Sequence, residues 1–98
     1  MKVLVKVQSI HFDADKKLLT FIQKRMDKLT QFYDKIEGAE VFLKLQKTSS
    51  DENKIAEIKL NIPGNDLFAK KQSKTFEEAV DSVSEALLKQ IKKHKEKK

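Results

Sequence analysis

Lysine is concentrated at the end of the chain at a density that suits one kind of chemistry. In LLKQIKKHKEKK, Lys89, Lys92, Lys93, Lys95, Lys97 and Lys98 make six of the last ten residues lysine, against the single acid Glu96. Ammonium groups bind phosphate oxygens as point charges, and a polyanion relieves the repulsion among them. The preceding stretch, TFEEAVDSVSEALL, carries Glu77, Glu78, Asp81 and Glu85 and no base. Part of this polarity has a local cause: acids in the first turns and bases in the last complement a helix dipole, and Glu85 with Lys89 is a favourable i, i+4 pair. The dipole contributes only about 0.3 to 1 kcal/mol per charge and fades within a turn. The lysines run on through Lys95, Lys97 and Lys98, past its reach.

A second basic group lies earlier. On a helical wheel of about 100° per residue, Lys17, Phe21, Lys24, Lys28, Gln31 and Lys35 fall within roughly 80° of one another, beside the apolar face. Arg25 and Phe32 lie between the two faces, and Asp27 and Asp34 on the far side, where Lys16 joins them. A solvated face with lysine stems covering apolar edges is the plainer reading, and a one-sided contact with an anion the sharper one. Lys44, Lys59, Lys70 and Lys71 add charge on stretches with strand period.

Other chemistry finds little support. His11, Asp13 and Asp15 alternate in HFDAD, but Asp15 suits a helix N-cap and no second ligand cluster accompanies them, so no metal site is expected. His94 falls in phase with Phe76 and Leu87 and reads as a half-packed helix-end residue. Neither histidine has an evident catalytic partner. Ser49 and Ser50 belong to a polar turn, and Gly38 and Gly64 are the only glycines, so there is no glycine-rich phosphate loop. The expectation is a protein that is not an enzyme and needs no cofactor.

The elements that would hold these lysines are legible from period. KVLVKVQSI alternates as a strand; Leu18, Leu19, Ile22, Met26, Leu29, Tyr33 and Ile36 recur at helical spacing after Asp15, with Gly38 closing the helix. Val41, Leu43 and Leu45 share one strand face, and Ala56, Ile58, Leu60 and Ile62 another, which predicts a hairpin. Pro63 and Gly64 make a turn into a fourth strand, LFAKKQSK, and from Phe76 the spacing is helical through Val80, Val83, Leu87 and Ile91. The fold class is α+β, a two-layer β-α-β-β-β-α sandwich with two helices on one face of a four-stranded sheet. At 98 residues and 39% hydrophobic this is a single domain, 1–98, with a flexible basic end from about 94. The net charge of +6 favours anionic partners, and the absence of cysteine fits a reducing compartment. No signal peptide or membrane span is present in the sequence, so a cytoplasmic location is expected.

Two stretches are more specific. Lys28, Leu29, Phe32, Tyr33, Asp34, Lys35 and Ile36 meet a K-L-x-x-[FY]-[FY]-[DE]-[KR]-I pattern, and Gln90, Lys93, His94, Lys95 and Lys97 meet an R-Q-L-x-K-H-K-x-K run, with Lys89 and Ile91 as conservative replacements. With the element order, this resembles the ribosome hibernation promoting factor family, which includes ribosome-associated inhibitor A, over essentially the whole chain. The resemblance implies a fold similar to double-stranded RNA-binding domains. It also implies a seat on the small ribosomal subunit, in the channel used by tRNA and mRNA, with basic helix faces on rRNA. Lys24, Arg25, Lys28, Lys89, Lys92 and Lys93 would carry the phosphate contacts, with Lys35, Lys44, Lys70 and Lys71 as outlying candidates. Thr75 and Glu77, on either side of Phe76, depart from the acidic and aromatic residues frequent in the family, and Ala86 stands where a lysine is common. The chain stops after the tail as short forms do, so pairing of ribosomes would call for a separate dimerising factor. A general double-stranded RNA binder, or a protein interaction module with a solubilising tail, are the rival expectations.

Overall fold

The computed structural model describes residues 4–10, 14–46 and 52–96, with side chains through His94. His11, Asp13, Ser49, Ser50, Lys97, Lys98 and the side chain of Lys95 lie outside the described residues. The element order is the expected one: β1 (Leu4–Ile10), α1 (Lys16–Phe32), β2 (Gly38–Leu45), β3 (Lys54–Ile62), β4 (Asn65–Ser73) and α2 (Phe76–Glu96). The four strands lie in sequence order in one sheet. β1 pairs parallel with β2, which requires a crossover, and α1 supplies it. β2 with β3 and β3 with β4 are antiparallel, with Val41 opposite Ile58 and Ile58 opposite Ala69.

Period-two alternation decides which face of the sheet is covered. Val41, Leu43, Ala56, Ile58, Leu60, Leu67 and Ala69 all point to the helix side and are buried, with Val5 and Val7 packed at the margin. α2 lies over β3 and β4, and α1 lies beside α2 and reaches β1. α1 contributes Leu18, Ile22, Met26 and Leu29, and α2 contributes Val80, Val83, Leu87 and Ile91. Each such side chain contributes about 1.5 to 3 kcal/mol by leaving water. The hairpin between β3 and β4 turns at Pro63 and Gly64, where Gly64 adopts φ of +78° at no steric cost.

The helix ends follow local hydrogen bonding. Asp15 caps α1, its carboxylate accepting from the Leu18 amide at 2.8 Å. Thr75 caps α2: its hydroxyl accepts from the Glu78 amide at 3.1 Å and its carbonyl from the Ala79 amide at 3.1 Å. Thr75 therefore starts the helix in this chain, and Thr75 with Glu78 has the capping-box spacing.

Two expectations are corrected. α1 does not run to Gly38 but ends at Phe32, with Tyr33 in an extended conformation and Gly38 opening β2. Tyr33 and Ile36 are buried nonetheless, because the turn after the helix folds them back onto the core at a spacing that imitates a helix. Leu19 is not a core residue and stays 39% exposed, since the buried stripe of α1 runs through Leu18, Ile22, Met26 and Leu29 and leaves Leu19 at its edge.

This phase makes opposite demands on neighbouring residues. Leu29→Ala should lower stability by about 2 to 5 kcal/mol. Lys28→Ala, at an exposed position, should stay within about 0.5 kcal/mol of the parent. Thermal and urea melts of the two variants would contradict the assigned helix face if the order were reversed.

Candidate nucleic-acid interface

Burial of Val83, Leu87 and Ile91 against the sheet leaves Lys89, Lys92 and Lys93 no direction but outward, and all three are exposed. On α1, burial of Ile22, Met26 and Leu29 does the same for Lys17, Lys24 and Lys28, and Lys35 is exposed in the turn that follows. The helices run in the same direction, because Arg25 faces Asp81 near the start of the contact and Tyr33 faces His94 near its end. Their C-terminal halves therefore lie side by side. Lys28 and Lys35 share the C-terminal half of the helix layer with Lys89, Lys92 and Lys93, Lys28 standing nearest the middle, across from Glu85 and Leu88.

Two residues of the tail pattern hold that end in place. His94 meets Tyr33 edge to face, with centroids 5.8 Å apart and rings inclined at 79°, which is a favourable aromatic geometry. Gln90 donates from Nε2 to the Phe68 carbonyl at 2.8 Å, tying α2 to the backbone of β4. Gln90 and His94 thus position the helix, and the lysines between and beside them project from it. Helical period alone marks His94 as half packed, as expected, but gives no partner for Gln90.

Arg25 has a different place from the one its charge suggests. Its Nη2 lies 3.1 Å from Asp81 Oδ1, and its guanidinium carbon sits 4.9 Å from the centroid of the Phe21 ring. The group is committed to an interhelical ion pair and a cation–π contact, which leaves Lys24 and Lys28 as the projecting bases of that stretch. Arg25, Lys28, Leu29 and Phe32 face Asp81, Ser84, Glu85 and Leu88 across a cleft of about 190 Å³. Acid therefore interrupts the positive surface midway along the helix pair.

The strand lysines do not join this group as a set. Lys44 and Lys70 alternate with the buried Leu43 and Ala69, so they lie on the open face of the sheet, away from the helices. Lys70 Nζ is 3.4 Å from Glu57 Oε1, and Lys59 Nζ is 3.5 Å from Asp66 Oδ2. Lys71 is in phase with Leu67 and Ala69 on the helix side and is exposed toward the end of β4. The alternation that revealed the strands already separates Lys44 and Lys70 from Lys71.

Residues 5–98 match the family model described as Sigma 54 modulation protein / S30EA ribosomal protein. A ribosome hibernation promoting factor of Pseudomonas putida is 28% identical over 93 residues, spanning 95% of this chain and 87% of that protein. The protein of that name from Klebsiella oxytoca is 30% identical over 77 residues, spanning 79% and 77%. Among solved structures, a ribosomal subunit interface protein from Coxiella burnetii superposes with a TM-score of 0.84 at 18% identity, covering 95% of this chain and 98% of that one. The N-terminal domain of Thermus thermophilus Protein Y gives 0.77 at 20% identity, covering 96% and 99%. These two likenesses concern the fold.

The side chains of Arg25 and Asp81 are 34% and 46% exposed, so water screens their attraction. A double-mutant cycle with Arg25→Ala and Asp81→Ala should give a coupling of about 0.2 to 1 kcal/mol in urea melts. Coupling indistinguishable from zero would show that the pair does not hold the helices in register.

Proposed function

Because this chain belongs to the Sigma 54 modulation protein / S30EA ribosomal protein family, we propose that it is a ribosome hibernation factor. It binds the small ribosomal subunit in the channel used by tRNA and mRNA, and silences translation under stress or in stationary phase. The observation that carries this reading is the exposure of Lys28, Lys35, Lys89, Lys92 and Lys93 in the C-terminal half of the helix layer. The names of its relatives, ribosome hibernation promoting factor and ribosomal subunit interface protein, point the same way.

The mechanism needs occupancy rather than a reaction. rRNA presents closely spaced phosphates, and lysines on two parallel helices meet them as a row of point charges whose geometry is fixed by the core beneath. Lys24, Lys28, Lys89, Lys92 and Lys93 make these contacts, and Lys35 extends them. Arg25 acts through Phe21 and Asp81 rather than on phosphate. Lys44 and Lys70 face away and take part only where rRNA also reaches the open face of the sheet, while Lys71 lies on the helix side toward the end of β4. A folded domain seated in the channel excludes tRNA and mRNA by volume. The protein works in the cytoplasm. Among the described residues no helix is long and apolar enough to cross a membrane.

The lysines of α2 give the test. Changing Lys89, Lys92 and Lys93 together to glutamine leaves Val80, Val83, Leu87 and Ile91 to pack the helix, so the melting profile should be little changed. Cosedimentation with small subunits should weaken by about tenfold or more as phosphate contacts are lost, and inhibition of a cell-free translation reaction should fall with it. A folded triple variant that inhibits at the parent's concentration would overturn the proposal. Competition with plain duplex RNA separates it from general duplex binding, since a ribosome-specific factor is displaced by subunits and not by the duplex.

A further inference from the structure

We infer that the N-terminal half of α1 carries a pocket for one unpaired nucleotide of RNA, with Phe21 as the surface on which the base stacks and Lys17 and Lys24 as the groups that hold its phosphate. The inference deepens the ribosomal reading and rests on its RNA-binding part. It concerns a place toward the other end of α1, and shares only Lys24 with the phosphate contacts proposed above.

Lys16, Lys17, Thr20, Phe21 and Lys24 line an open hollow of about 440 Å³. Phe21 is half-buried and packs against the core, which restricts the motion of its ring. The Arg25 guanidinium lies over one face of the ring, 4.9 Å from its centroid, and Asp81 holds that guanidinium at 3.1 Å, so the base takes the side of the ring turned to the hollow, which Arg25 does not line. The aromatic surface is therefore oriented before any ligand arrives, by partners that are not RNA. Arg25 is a positioning residue in this arrangement, and its charge is already matched by Asp81.

The rim has the opposite character. Lys17 and Lys24 stand one turn before and one turn after Phe21, each about 5 to 6 Å away along the helix surface, and both are exposed. Lys16 adds a third cation and Thr20 a hydroxyl at the margin. An aromatic floor with cations around it is complementary to a nucleobase joined to phosphate, and to little else that is common in RNA. The base must be unpaired, because bases in an A-form duplex stack on one another and present no free ring face. On this reading α1 separates two tasks: its C-terminal half shares in a phosphate grip with α2, and its N-terminal half recognises a base turned out of its helix.

The test uses the full chain, a single-stranded RNA hexamer with one 2-aminopurine, and a plain RNA duplex, with small-subunit binding measured in parallel. Stacking on Phe21 should quench 2-aminopurine fluorescence in the wild type. Phe21→Leu keeps an apolar side chain in the same packing position and should melt close to the parent. It should bind the hexamer about tenfold or more weakly and lose the quench, with duplex binding unchanged. Lys17→Gln with Lys24→Gln should weaken hexamer binding and make it less dependent on salt, and the quench should return at saturation. A folded Phe21→Leu variant that binds and quenches like the parent would overturn the pocket. So would a wild type that binds small subunits without quenching the probe, and that result leaves the ribosomal reading standing. A wild type that quenches the probe but ignores small subunits would support the pocket and sink the ribosomal reading.

Discussion

The placement of the exposed helix lysines depends on two helices being packed in parallel on one face of a single sheet. Val80, Val83, Leu87 and Ile91 fix the roll of α2, and Ile22, Met26 and Leu29 fix that of α1. Once those stripes are buried, the remaining helical positions have no freedom to choose a side. Lys28 comes to the same half of the layer as Lys89, Lys92 and Lys93 because hydrophobic burial sets the phase of both helices and the Tyr33–His94 contact sets their relative position. Charge then follows from packing at no additional structural cost, and repulsion among the lysines is tolerated because their ends remain in water.

The two faces of the molecule handle charge differently. On the open sheet face Lys59 and Lys70 each lie beside an acid, at 3.5 and 3.4 Å, in cross-strand pairs that keep that surface near neutral. Ile55 is buried there, opposite Lys44 and Gln72, and the Gln72 amide donates to the Glu52 carbonyl beside it. On the helix layer one base, Arg25, is matched by Asp81, and Lys17, Lys24, Lys28, Lys89, Lys92 and Lys93 project without such partners among the described residues. An anionic partner meets a surface already polarised toward it. The acids Asp81 and Glu85 at the cleft divide that surface, so a uniform polyanion fits it less well than one whose phosphates approach in separate runs.

The strands and both helices were legible in the sequence because each buries one face, and burial imposes a period. The end of α1 was not, since Tyr33 and Ile36 keep helical spacing after the chain has left the helix, and spacing cannot distinguish a helix from a turn that packs on the same core. Leu19 shows the same limit from the other side: its position near the apolar stripe says nothing of how wide a strip the neighbouring elements cover. Helical phase revealed which lysines project, but not that Arg25 would meet Asp81 or that Gln90 would reach Phe68. Those contacts depend on how elements distant in the chain come to lie against one another. The opposite facing of Lys44 and Lys70 relative to Lys71 was available from parity alone.

The proposed grip on rRNA is tested most directly by the salt dependence of binding to isolated small subunits. Phosphate neutralisation by lysine releases counterions, and the logarithm of the association constant should then fall linearly with the logarithm of salt concentration, by about 0.7 to 0.9 for each phosphate engaged. Engagement of at least four lysines predicts a slope of about −3 or steeper. Specific binding with a slope near zero would contradict a phosphate contact and assign the interaction to protein surface instead.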